Sequence, residues 1–458
     1  MKSRGLSILL AFSITLLWVS CNSTSSPKSD DPISPATNGD EYVVFAWNDL
    51  GMHCLNPSYD TAVILPPYNT VDVQVVKRGN PPVLVSDSSG ITVDYSLVDN
   101  TYSYGKGDYG QFWDNAEALF SLTSPLAHNV GLAGKGLSGT MDYVAGDGVF
   151  RAKGIPVVPR TDTAPTVRAP YQQALILVKS SAGATIASTK ATVPTSDEIN
   201  CAKCHAPGGT VKATFEDILA KHDADSATGT SLTSSTPVLC ASCHGSPALG
   251  TVNQNGAPYL SAAIHGFHAT EGATCLDCHP GETTKCNRSI AHSTATGGTC
   301  QSCHGDMANV ATTIGSGRIP WETEPKCSQC HSSSSGTTPT TVATTSTIPQ
   351  VDTGSSLYRN SKGHGGVACT ACHGSPHSMV PSREAKDNYQ AEQYQGAAVA
   401  MGSCAACHSN SHGEGSGEFM EKHGGASPET YSACAVCHTA VPSGDTTLWP
   451  HGFKWKAR

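Results

Sequence analysis

Cys201-Ala202-Lys203-Cys204-His205 puts two thiols and an imidazole within five residues, and the same Cys-x-x-Cys-His spacing returns seven more times. The thiol pairs are Cys201 and Cys204, Cys240 and Cys243, Cys275 and Cys278, Cys300 and Cys303, Cys327 and Cys330, Cys369 and Cys372, Cys404 and Cys407, and Cys434 and Cys437. The histidines that close them are His205, His244, His279, His304, His331, His373, His408 and His438. This is the attachment motif of haem c, in which two thiols bond the porphyrin vinyl groups and the adjacent imidazole binds iron from the proximal side. The eight copies use 16 of the 19 cysteines, and a zinc or disulfide framework has no need of a His after every pair. The expected cofactor is eight covalently attached haem c groups, and the expected chemistry is one-electron transfer.

A haem iron has two axial positions, and the motif fills one. Of the 19 histidines, eleven stand outside the motifs, and nine of those follow residue 200. One distal ligand per haem is obtained by assigning His222, His265, His268, His292, His364, His377, His423 and His451. Val211, Phe215, Ile218 and His222 share one helical face, which puts that imidazole on an apolar stripe. His265 and His268, three residues apart, suit two neighbouring irons. His377 ends the tight Gly374-Ser375-Pro376 turn, and Phe419 and His423 stand four apart before Gly424-Gly425. His412 reads as a solvated loop residue, and His53 and His128, far from the motifs, as structural.

The distribution is uneven. The first five motifs have four local spare histidines (222, 265, 268 and 292), whereas the last three have five. An iron in the first block then takes its ligand from elsewhere, with His364 or His377 the expected donor by fold-back of the intervening segment. The alternatives are His53, His128, Met307, an open site, or a histidine from a second copy of the chain.

The elements that must position these groups divide the chain. Lys2 and Arg4 followed by the apolar run Leu6–Val19 form a signal peptide (1–20). Cys21 is the candidate lipidated residue, and 21–40 reads as a flexible tether. Residues 41–194 read as an all-β sandwich-like domain. Its expected strands include Tyr42–Phe45, Val71–Val75 and the alternating Ile91–Leu97, with hairpins about Ala145–Gly148 and Ser181–Gly183 and a helix over Phe112–Phe120. Thr195-Ser196-Asp197-Glu198 has the form of a helix capping box at the boundary. Residues 195–458 read as a haem-packed region of short helices and loops with little regular sheet. It comprises a five-haem block (201–331), a linker (332–356) and a three-haem block (357–458).

Composition narrows the function. Aromatics make up 6% of the chain and glycine 45 residues, so porphyrins are expected to supply apolar mass that the C-terminal half lacks. A net charge of −9 argues against nucleic acid as a partner. Cys54 and Cys286 fit no motif, and in an oxidising compartment they are candidates for a disulfide.

With the motifs, spare histidines and export signal assembled, the chain resembles the outer-surface multihaem c-type cytochromes of metal-reducing bacteria. Residues 201–458 carry most of the resemblance. Cys278-His279-Pro280-Gly281, Cys372-His373-Gly374-Ser375-Pro376-His377 and, in the β region, Trp47-Asn48-Asp49-Leu50-Gly51-Met52-His53-Cys54 look like its local motifs. The resemblance implies an exported electron carrier at the outer membrane or cell surface that passes electrons to other redox proteins and extracellular acceptors. It also leaves room for a homopolymer. The competing class is an oxidoreductase acting on a small oxyanion or nitrogen compound at one open-site haem.

Overall fold

The structure, a computed structural model, describes residues 41–79, 82–225, 227–293, 299–325, 357–403 and 406–408, with His364 described in its backbone only. The signal segment, the tether, the fifth and eighth motifs, Cys404, the linker, His412, His423 and His451 lie outside the described residues.

In chain order the first strands are β1 (Tyr42–Asn48), β2 (His53–Cys54), β3 (Ala62–Val63), β4 (Asn69–Lys77), β5 (Val83–Leu84) and β6 (Thr92–Leu97). After helix α1 (Gly110–Phe120) come β7 (Ser138–Thr140), β8 (Asp142–Val144), β9 (Val149–Ile155), β10 (Tyr171–Lys179) and β11 (Thr185–Ser196). One sheet has the order β1-β4-β9-β8, with β5 also on β4, and the other runs β2-β11-β10-β6-β7. The pairing is antiparallel except where β2 runs parallel to the end of β11. The N-terminal region is therefore rich in antiparallel and mixed sheet. The two sheets share a core in which Val44, Val73, Val93, Tyr95, Ile176 and Val193 are buried.

Period-two alternation is visible where one face meets solvent, as in β10, which alternates between buried and half-buried residues. In β4 it vanishes, because Asp72 and Gln74 on the second face are buried too. Arg151 from β9 forms a bidentate pair with Asp72 (2.6 and 2.9 Å). Gln74 spans to the C-terminal region, donating to Gly366 O (3.2 Å) and accepting from Ala368 N–H (2.8 Å). Segments more than 290 residues away thus cover a face that the sequence marks as polar.

The later elements are α2 (Val211–Ala224), β12 (Val238–Leu239, parallel to β3), α3 (Leu260–Thr270), α4 (Cys300–His304), α5 (Met307–Gly315), α6 (Cys369–His373) and α7 (Tyr389–Gln395). Short helix α7 closes the gap between β1 and β11. Fully buried Tyr394 donates to Val44 O (3.0 Å) and accepts from Val44 N–H (2.9 Å). The Gln390 amide makes the same pair of bonds to Ala46 (2.6 and 2.9 Å) and also donates to Lys190 O (2.9 Å). These side chains satisfy main-chain groups on the β1 edge that another strand would otherwise seek. Among the described residues, no helix is long and apolar enough to cross a membrane.

The capping box expected at Thr195–Glu198 does not form. Thr195 and Ser196 end β11, and the Glu198 carboxylate instead accepts four backbone N–H bonds from Gly281, Glu282, Thr283 and Thr284 (3.0, 2.6, 3.1 and 2.8 Å). Four convergent donors from a distant loop outcompete the single N–H that a capping box offers. Burial works against the charged form, yet these donors hold the carboxyl down at about 2. A depressed carboxyl stabilises the fold fully above its ordinary value of 4.5 and loses that contribution as pH falls towards about 2. Denaturant midpoints of wild type and Glu198→Gln should therefore differ most at neutral pH and converge as pH drops through this window. A difference independent of pH would contradict the account.

Candidate metal-ligand pairs

Five motifs are described from end to end, and each folds as a single helical turn. His205, His244 and His279 donate their N–H groups to the carbonyls of Cys201, Cys240 and Cys275 (2.9, 3.1 and 2.9 Å), while the fourth and fifth of these motifs are α4 and α6 themselves. A turn of this kind brings thiols at i and i+3 to one face and the imidazole beside them.

Four motif histidines each face a histidine from outside the motifs. The ring centroids are 6.3 Å apart for His205 and His268, 6.3 Å for His244 and His222, 6.1 Å for His279 and His265, and 6.1 Å for His304 and His377. Direct stacking would bring them much closer, as for Tyr104 on His128, at 3.5 Å. With a metal–imidazole nitrogen bond of about 2.0 Å and ~1.1 Å from nitrogen to ring centre, two imidazoles on opposite sides of one iron have centroids roughly 6.2 Å apart. All four pairs match this spacing.

The outer nitrogens fix the orientation. His244, His265, His268 and His377 use Nδ1 to donate to the carbonyls of Pro258 (2.9 Å), Ser261 (2.7 Å), Ile264 (2.8 Å) and Leu50 (2.9 Å). His205 Nδ1 donates to Asp217 Oδ2 (2.9 Å), and His222 Nδ1 lies 3.1 Å from Thr230 Oγ1. A carbonyl or carboxylate only accepts, so in five of these six rings the proton sits on Nδ1 and Nε2 keeps its lone pair. That is the tautomer and orientation a metal ligand needs. Desolvation, together with the neighbouring rings of His377 and His279, pushes His304 down to about 4, and burial lowers His377 as well. Both imidazoles are neutral near pH 7.

Helix positions explain the pairings. His265 and His268, on successive turns of α3, face the third and first motifs. Gly266 faces α5, where a Cβ would lie in ordinary contact with Ala311 Cβ at 3.4 Å. The α2 helix packs Phe215 and Leu219 against Ala62 and sends His222 to the second motif and Asp217 to the first. The first and third motifs are laced together, with Asn200 N–H donating to Cys278 O (3.3 Å), Asn200 Nδ2 to Leu276 O (3.1 Å) and Lys203 Nζ to Leu276 O (3.1 Å). Burial pushes the Cys201 thiol up to about 12, and nearby Cys278 adds to it; burial likewise raises Cys275, beside Cys300. In space the sites run second, first, third, fourth, which is not their order in sequence.

His377 reaches His304 because the β region holds it there. The turn at 48–51, for which the sequence offered no chemistry, contributes main-chain carbonyls. Asn48 O accepts from Ser375 Oγ (2.6 Å), Leu50 O from His377 Nδ1 (2.9 Å) and Gly51 O from Arg288 Nη1 (2.9 Å). Buried Arg288 pairs with Asp387 through Nε and Nη2 (2.8 and 3.2 Å), and its N–H donates to His377 O (2.7 Å).

His292 is half-buried in a loop, with its carbonyl accepting from Asn287 Nδ2 (2.6 Å). His364 opens the turn His364–Gly366, and His408 forms a parallel bridge with Gly79. His53 is buried with its Nε2 2.7 Å from Asp49 Oδ1, which gives it a structural partner. Burial raises the Cys54 thiol, and neighbouring Cys286 adds to that; both are free thiols. Among the described residues, no group of three or more His, Cys, Asp or Glu side chains surrounds a common metal position. A porphyrin iron asks only two ligands of the protein.

No protein-family model matches this chain, and neither does any curated protein or solved structure.

Gly51 has φ +78°, and a Cβ on it would lie 3.1 Å from both His377 N and Ser375 Cβ. Gly51→Ala should therefore cost about 1–2 kcal/mol from backbone strain alone and displace His377 from His304. The expected signs are a lowered denaturant midpoint and shifted imidazole resonances of His377 and His304 in the nuclear magnetic resonance spectrum. A variant with the wild-type midpoint and spectrum would remove the turn from this role.

Proposed function

We propose that this chain is an exported octahaem c-type cytochrome that carries electrons to other redox proteins and extracellular acceptors. The observation that carries the reading is the set of four imidazole pairs at 6.1–6.3 Å, each joining a motif histidine to a histidine outside the motifs. Cys201, Cys204 and His205, with their counterparts in the other motifs, would hold each haem from one side. His268, His222, His265 and His377 would hold the first four from the other. When bound, the haem supplies a one-electron iron couple at each pair.

The chain's own residues favour a carrier over an enzyme. At these four sites two imidazoles would hold each iron, which would leave a small oxyanion no place to bind. The Nδ1 hydrogen bonds fix ring orientation, which keeps rearrangement on electron transfer small. The α3 sequence Leu-Ser-Ala-Ala-Ile-His-Gly-Phe-His-Ala-Thr is apolar, yet none of its residues is buried and Phe267 is 61% exposed. An apolar helix without a core is accounted for by porphyrin faces packed along it, and the same packing would make 195–458 a haem-filled region beneath a sandwich-like β domain. Export rests on the basic, apolar and cysteine-ended segment before residue 22. It agrees with covalent haem attachment, which takes place outside the cytoplasm.

Electron paramagnetic resonance of the ferric holoprotein tests the reading. All irons should be low-spin, and His377→Ala should convert one of them, that of the fourth motif, to high spin. A stoichiometric high-spin iron in the wild type, with turnover of nitrite or hydroxylamine, would favour the oxidoreductase instead.

A further inference from the structure

Five of the six Nδ1 hydrogen bonds at the imidazole pairs end on a neutral oxygen: the carbonyls of Pro258, Ser261, Ile264 and Leu50, and the Thr230 hydroxyl. The sixth ends on a carboxylate. His205 Nδ1 donates to Asp217 Oδ2 at 2.9 Å, with the two side chains 17% and 29% exposed. We propose that Asp217 is a positioning residue that sets the reduction potential of the first motif's site below those of its neighbours. The inference rests on the haem-bearing reading above.

A full negative charge on the outer nitrogen makes the imidazole a stronger donor to the metal than a carbonyl does. It therefore stabilises the ferric state, which carries one more positive charge than the ferrous. Reduction adds one electron to the His205 iron; no bond forms or breaks, and the proton stays on Nδ1. The position of the charge is fixed by the fold. Asp217 lies on α2 between buried Phe215 and Leu219, and Lys221 one turn on reaches its other oxygen, Oδ1, at 3.1 Å. Lys221 offsets part of the charge, so removing either partner should move the couple, in opposite directions. Five residues along the same helix, His222 faces the second motif's histidine. One helix thus places a carboxylate directly on the imidazole at one site, whereas at the next its Asp223 carboxylate stands one hydrogen bond further back, behind the Thr230 hydroxyl (2.8 Å), and this difference creates a potential step between the two sites.

Spectroelectrochemical titration of the full-length holoprotein, with dithionite as reductant, tests this. Asp217→Asn keeps the shape and removes the charge. One of the eight one-electron components should rise about tenfold in its reduction equilibrium, or 59 mV for a one-electron couple. Lys221→Met should lower that same component. Covalent haem count by mass and the low-spin resonance should stay at wild-type values in both variants, which separates a tuned site from a lost one. Eight haems with every component unmoved in Asp217→Asn, or an even shift across all eight, would overturn the assignment while leaving the carrier reading intact. A chain carrying no haem would sink the carrier reading, and this assignment with it.

Discussion

Arg288 carries a charge into the interior, and three stretches of chain are fixed by what that charge requires. Its guanidinium is satisfied by Asp387 on one side and Gly51 O on the other, and lies 4.8 Å over the Tyr171 ring. Its backbone donates to His377 O and accepts from Arg383 N–H (2.7 and 2.9 Å). Removing one partner of a buried ion pair costs about 3–5 kcal/mol, because the other is left uncompensated. The loop after the third motif, the turn after the sixth and the 48–51 turn are therefore locked to one point. That lock sets the His377 imidazole opposite His304.

The same economy recurs across the β region. Glu198 gathers four N–H groups of the 281–284 loop, Gln74 ties the 366–368 segment to a sheet face, and Tyr394 and Gln390 finish the β1 edge. These are polar side chains meeting main-chain groups, and they register loops that have little apolar core of their own. The β region works as a jig that fixes where the 281–284 loop, the 366–368 segment and α7 lie.

Much of this was legible in sequence, and the reasons differ by residue. The strands and the Ala145–Gly148 hairpin announced themselves by alternation and turn chemistry. The spare histidines of α2 and α3 were visible because helical spacing is local. A ligand count pointed beyond the first block, towards His364 or His377, and the ring beside His304 is that of His377. The 48–51 turn acts through its carbonyls, which no side-chain pattern encodes. Asp217 gains meaning only once His205 is placed beside it, and α7, rich in Gln and Tyr, has no apolar stripe to announce its docking. Glu198 read as a helix cap because its true partners lie more than 80 residues away.

Everything here turns on whether the thiol pairs hold haem. Intact-mass measurement of the purified protein, followed by mapping of its peptides, addresses that directly. The account predicts eight haem increments, one on each Cys-x-x-Cys-His peptide. Free thiols, disulfides or zinc at those pairs would contradict it.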